Sequence, residues 1–170
     1  MTGDQDTRYA EAAAQWGAAL QRIARAHEAD PERRRDLLQD MHVTLWKSFA
    51  TFDGRCSVRT WVYRVTNNVA ASHAVREQRD RKRLVALDTI DDIPEASDAA
   101  GAVEAEATLA RLYALIHQLK SPDREVITLY LEGLSAEAIG EVTGLSAGAI
   151  ATRISRMKAL LGRLFHEVTP

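Results

Sequence analysis

Apolar residues recur along this chain at three- and four-residue spacing, the period of helices that bury one face. Tyr9, Ala13, Trp16, Leu20 and Ile23 predict a helix over residues 8–28. Asp30-Pro31 ends it and starts the next, because proline suits a first helical turn. That second helix runs to about Ala50, with Leu37, Leu38, Met41, Leu45, Phe49 and Phe52 as its buried stripe. Asp36, Gln39, Asp40, Val43 and Lys47 are left on the other side; periodicity alone reads that face as solvated. Asp53-Gly54 signals a turn, and Ser57 suits the N-cap of a third helix. Val58, Val62, Val65, Val69 and Trp61 are expected to point inward from it. Asn67 and Asn68 stand apart, since adjacent amides in a helix cost propensity without filling a core.

Beyond Arg83 the pattern dissolves into an alanine-rich stretch with Pro94 and Gly101, and helices resume near Val103. Leu109, Leu112, Ile116 and Leu119 form a first stripe. Ser121-Pro122-Asp123 predicts a capped helix start, with Val126, Ile127 and Tyr130 as core residues and Gly133 as its stop. Ser135 caps a short helix ending near Val142, and Gly144-Leu145-Ser146 turns into a last helix reaching about His166. A short helix, a turn with glycine and a longer helix make a helix-turn-helix. Ile139, Val142, Leu145, Ile150 and Ile154 would lock its two helices, with Ala138 and Gly140 near the crossing. Ile150, Ile154, Met157, Leu161 and Leu164 line the buried side of the last helix, and Thr152, Arg153, Ser155, Arg156 and Lys158 the other. The positive residues begin too early in that helix merely to complement its C-terminal end, which favours a groove-reading role.

Charge sharpens the division. The chain of 170 residues carries a net charge of −2, which by itself argues against a nucleic-acid partner. Between Gly54 and Arg83, however, eight basic residues face only Glu77 and Asp80, whereas Asp88 to Glu106 holds seven acids and no base. An acidic strap therefore hides two basic ends. Aromatics beside clustered arginine suit unstacked bases and a phosphate backbone. A hydrophobic fraction of 46% supports packed cores, and the lone Cys56 excludes an internal disulfide and fits a reducing cytosol. Catalysis finds little support: His27, His42, His73, His117 and His166 are scattered, without metal-ligand spacing, and there is no glycine-rich phosphate loop. No enzyme activity, metal or cofactor is expected, nor a membrane span or signal peptide.

Two runs carry a family resemblance. DLLQDMHVTLWKSFATFDGRCSVRTWVYRVTNNVA is similar to region 2 of RNA polymerase sigma factors of the extracytoplasmic-function (ECF) group. SPDREVITLYLEGLSAEAIGEVTGLSAGAIATRISRMKALL resembles region 4 of the same group. The resemblance implies an all-α protein: a region 2 helical bundle over residues 1–83, a flexible acidic linker over 84–105 and a region 4 helix-turn-helix over 106–170. It also implies core RNA polymerase and promoter DNA as partners, with an anti-sigma factor and a cytoplasmic location. Asp36, Leu37, Gln39, Asp40, Val43 and Trp46 match the surface that docks on the polymerase, which turns the solvated face of the second helix into a partner surface. Arg55, Ser57, Trp61, Tyr63, Arg64, Asn67 and Asn68 match the part that opens the minus-ten element and captures an extruded base, with Arg76 and Arg79 on backbone phosphates. Ser146, Gly148, Ala149, Thr152, Arg153, Ser155, Arg156 and Lys158 match the reader of the minus-thirty-five element. Ala151 and Ser155 stand where the family often has a basic and a bulky residue, so an altered upstream preference is expected. A stand-alone helix-turn-helix regulator, or an interaction module that binds polymerase without initiating, is the alternative from the residues alone.

Overall fold

The computed structural model describes residues 2–84 and 102–166, and these form seven helices and no strand. They are α1 (Thr2–His27), α2 (Pro31–Ser48), α3 (Val58–Leu84), α4 (Ala102–Gln118), α5 (Asp123–Leu131), α6 (Ala136–Thr143) and α7 (Ala147–His166). The all-α expectation holds. Most of the acidic linker, residues 85–101, lies outside the described residues.

Helices α1, α2 and α3 pack on one another around Leu20, Ile23, Leu37, Met41, Leu45 and Val62, each 1% exposed or less. Burying side chains of that size stabilises the bundle by about 1.5–3 kcal/mol each. Asp30 begins α2 as expected, its Oδ1 accepting the amides of Glu32 and Arg33 at 3.0 and 2.9 Å with Pro31 in the first turn. Helix α1 starts six residues before the helix that the sequence predicts. Asp4 favours the positive helix end and pairs with Arg8 at 3.0 Å, while Gln5 and Asp6 bond to Trp46 of α2. Val58, expected inside, is 36% exposed because it opens α3 beside the loop, before the helix reaches the bundle.

In the second half, α5, α6 and α7 close around Val126, Ile127, Leu129, Ile139 and Ile150. Ser135 caps α6 through the Ala138 amide at 3.2 Å, and Gly144 ends it at φ +79°, a left-handed turn that glycine adopts without strain. A Cβ on Gly140 would lie 2.9 Å from the Leu145 carbonyl oxygen, so the crossing of α6 and the turn demands glycine. Two expectations change here. Ser121 does not cap α5; its hydroxyl donates to Glu125 Oε1 at 2.8 Å, and the helix begins at Asp123 without a side-chain cap. Leu109 is 37% exposed, and Tyr113, one turn on, takes the buried place on α4.

The halves touch. Helix α3 packs on α6 and α5, and α1 packs on α4 and α5.

Candidate nucleic-acid interface

The exposed side of α2 shows Asp36, Gln39 and Asp40 around Val43 and Trp46, which are 43% and 37% exposed. Leu37 is buried in the core beneath them. Trp46 is held in place from α1: its Nε1 donates to Asp6 Oδ1 at 2.8 Å, and its carbonyl accepts from Gln5 Nε2 at 2.8 Å. A polar surface with a fixed apolar centre is suited to a protein partner. His42, on the same helix, meets the Tyr9 hydroxyl at 2.9 Å, and burial lowers its pKa.

The loop into α3 is shaped locally. Gly54 has φ +76°, Asp53 Oδ1 accepts the Arg55 amide at 3.1 Å, and Ser57 Oγ accepts the Thr60 amide at 3.1 Å, the cap the sequence predicts. Trp61 is half-buried, with its Nε1 donating to Ser48 Oγ at 2.9 Å and its ring 5.2 Å from that of Phe52. It fastens the loop to the end of α2. Along α3, Asn68, Arg76 and Arg79 are exposed, whereas Tyr63 and Asn67 are buried at 3% and 7% exposure.

Part of α3 is covered by the other half of the chain. Arg64 donates from Nε and Nη2 to the Glu141 carbonyl of α6 at 3.2 and 2.9 Å, and Thr60 Oγ1 reaches Glu141 Oε2 at 3.4 Å. Glu132, just past α5, accepts both arms of Arg22 at 2.7 and 2.8 Å and the Tyr63 hydroxyl at 3.4 Å. Burial, then the charge of Glu132, raises the Tyr63 pKa, so the phenol stays a neutral donor. Toward the other end of the seam, His117 Nε2 meets the Arg25 carbonyl at 2.7 Å, and the Arg25 guanidinium lies 4.4 Å from the Tyr113 ring centre. His27 is buried nearby; desolvation, then Arg124, His73 and His117, depresses its pKa to about 3.

On α7 the arrangement is open. Ser146 Oγ accepts the Ala149 amide at 3.2 Å, and Thr152 Oγ1 donates to the Gly148 carbonyl at 3.0 Å. Ser146, Gly148, Thr152, Ser155, Arg156 and Lys158 are exposed, and Ala149 is half-buried. Arg153 is taken by Asp123 of α5, and Lys158 Nζ lies 4.9 Å from the Tyr130 ring centre. Arg156 forms no ion pair or side-chain hydrogen bond among the described residues. Sequence reasoning missed Glu132, Glu141 and Arg22. The only available signal was the presence of acids on the small helices facing an arginine-rich one, and nothing local fixes that pairing.

The sigma-70 region 2 family matches residues 13–80, and the sigma-70 region 4 family matches residues 109–161. The RNA polymerase sigma factor CnrH of Cupriavidus metallidurans is 29% identical over 164 residues, covering 92% of this chain and 85% of that protein. The ECF RNA polymerase sigma factor SigX of Bacillus subtilis is 28% identical over 130 residues, covering 72% and 66%. This chain belongs to the ECF group of RNA polymerase sigma factors. A solved structure of CnrH in complex with the cytosolic domain of CnrY matches with a TM-score of 0.66 and 26% identity, over 95% of this chain and 89% of that one. The sigma factor thus acts in transcription initiation, binding core RNA polymerase and promoter DNA. Region 2 spans most of α1 with all of α2 and nearly all of α3, and region 4 runs from within α4 into α7. Among the described residues no helix is long and apolar enough to cross a membrane.

Proposed function

We propose that this sigma factor grips a promoter at two points and that its described arrangement is the closed form, which must part at the seam between α3 and α6 before the minus-ten element can be engaged. The observation that carries this is the pair of hydrogen bonds that Arg64 donates to the Glu141 carbonyl: a residue assigned to promoter opening is held by the domain assigned to the upstream element. In the parted form, Arg55, Ser57, Arg64, Asn67 and Asn68 supply donors and acceptors for an extruded base, with Tyr63 as an aromatic wall once uncovered. Trp61 holds the loop from beneath. Arg76 and Arg79 take backbone phosphates. Arg156, with Thr152, Ser155 and Lys158, reads the minus-thirty-five element, and the free amides near Ser146 and Gly148 receive a phosphate.

The face with Val43 and Trp46 at its centre, rimmed by Asp36, Gln39 and Asp40 and backed by Leu37, docks on the polymerase. The acidic linker follows the basic interior channel of the enzyme. The chain catalyses no reaction of its own and works in the cytoplasm, where polymerase and chromosome meet. An anti-sigma protein belongs to the same reading, supported by the likeness to CnrH solved with the cytosolic domain of CnrY. Run-off transcription with purified core polymerase tests the whole. Wild type yields a promoter-specific transcript; Asn68→Ala keeps the upstream footprint but loses permanganate-reactive thymines. Unchanged permanganate reactivity in Asn68→Ala overturns the assignment on α3, and DNA binding without any transcript favours a stand-alone regulator.

A further inference from the structure

A second cluster lies where the corner between α1 and α2 meets the middle of α3. Glu28 Oε2 and His73 Nε2 are 2.8 Å apart, and a carboxylate oxygen of Glu77 completes a set of three ligand-type atoms within 4.8 Å of one another. These are not surface acids: the side chains of Glu28, His73 and Glu77 are 6%, 13% and 19% exposed. His73 and Glu77 are one helical turn apart and so share a face of α3, while Glu28 comes from the corner just past α1.

The groups behind them fix their orientation. Glu28 Oε1 accepts the Asp30 amide at 2.9 Å, which leaves Oε2 facing His73, and Arg33 Nη1 donates to Glu77 Oε2 at 2.8 Å. Hydrogen bonds of this outer kind orient metal ligands and tune their basicity. Glu28 and Glu77 also line a cavity of about 300 Å³, closed on its far side by the start of α5. Two further polar groups on that cavity lack hydrogen-bond partners while being more than nine-tenths buried: both ring nitrogens of His27, and Oε2 of Glu125. Buried polar atoms without partners are costly, and a ligand that brings water or charge into the cavity relieves that cost.

We propose that Glu28, His73 and Glu77 form a site for one borderline divalent transition-metal cation, with water on the ion reaching Glu125 and His27 across the cavity. One imidazole and two carboxylates are the donor set of zinc- and manganese-type ions, and not that of a soft thiolate site or an all-oxygen calcium cage. The ion takes the place of the proton between Glu28 and His73. It joins the α1–α2 corner to α3 directly and to α5 through water, so its binding strengthens the closed arrangement of the two halves.

The probe is Zn²⁺ alone, titrated into the full chain without DNA or polymerase, so the outcome is separable from the promoter assignments. Calorimetry is expected to show a single saturable site, and the melting temperature is expected to rise with Zn²⁺ and not with Mg²⁺. Glu77→Gln, which leaves the Glu28–His73 bond intact, and His73→Gln, which keeps a donor for Glu28, should each weaken Zn²⁺ by roughly tenfold or more. His166→Ala, an exposed histidine on α7, should not change it. The absence of a saturable site in wild type, or equal affinity in wild type and both cluster variants, overturns the proposal and leaves the cluster as a hydrogen-bonded tie between helices.

Discussion

Helices α3 and α7 are both long, both arginine-bearing and both proposed above to meet a promoter element, yet the structure treats them differently. On α3 the middle is covered: Arg64 is bonded to α6, Tyr63 and Asn67 are buried, and only residues such as Asn68, Arg76 and Arg79 face outward. On α7 the outward face stays open, with Arg156, Thr152 and Ser155 exposed and only Arg153 drawn into an ion pair. The difference teaches that residue type names a capacity, whereas the partner already in contact decides whether it is available. On the assignments proposed above, the upstream reader is accessible in the closed chain and the promoter-opening residues are not.

The comparison can be broken most forcefully at Glu132. Its buried carboxylate serves Arg22 and Tyr63 together, so Glu132→Ala strands a buried hydroxyl and releases one side of the seam. A loss of about 2 kcal/mol in urea unfolding is expected, with faster amide exchange along residues 60–68 and no change along 152–158. Gly140→Ala attacks the other side, since its new methyl meets the Leu145 carbonyl. Overpacking of that kind costs about 1–3 kcal/mol. It should shift the helix-turn-helix and lower upstream DNA affinity while the α1–α3 bundle keeps its near-ultraviolet dichroism.

Arg156→Ala sharpens the contrast without touching the seam. It should weaken upstream-element binding by about 1–3 kcal/mol, seen in a footprint, while leaving the melting temperature unchanged. The smallest effect concerns acid. Burial lowers the His117 pKa in the folded chain, so stability from its neutral form is present above the ordinary histidine value and is lost as pH falls below about 6.5. His27 acts in the same direction. Melting temperatures measured at pH 7.5 and 5.5 should therefore fall with acid, and His117→Gln should fall less.

Much of the fold was legible because it is local. Helical spacing, Asp30 with Pro31, Ser57, Ser135 and the glycine at 144 mark most of the boundaries the structure shows, and the resemblance in two runs agrees with the families that match. The errors fall where tertiary contact overrides local preference. The start of α1 is carried back by bonds to Trp46, Ser121 turns to Glu125 instead of capping, and Leu109 yields its place to Tyr113. The site was less legible. Residue types and positions on α2 and α7 could be read, but the cover over α3 depends on Glu132 and the Glu141 carbonyl, groups 69 and 77 positions along the chain from their partners. The meeting of Glu28 with His73 is equally long-range, so five scattered histidines gave no hint of it.

Arginine reactivity in the free chain tests the central contrast most directly. With phenylglyoxal and peptide mass spectrometry, Arg156 and Arg76 should modify fast and Arg64 slowly, and Glu132→Ala should bring Arg64 toward the fast pair. Equal rates for Arg64 and Arg156 in the wild-type chain would contradict a closed seam over the promoter-opening helix.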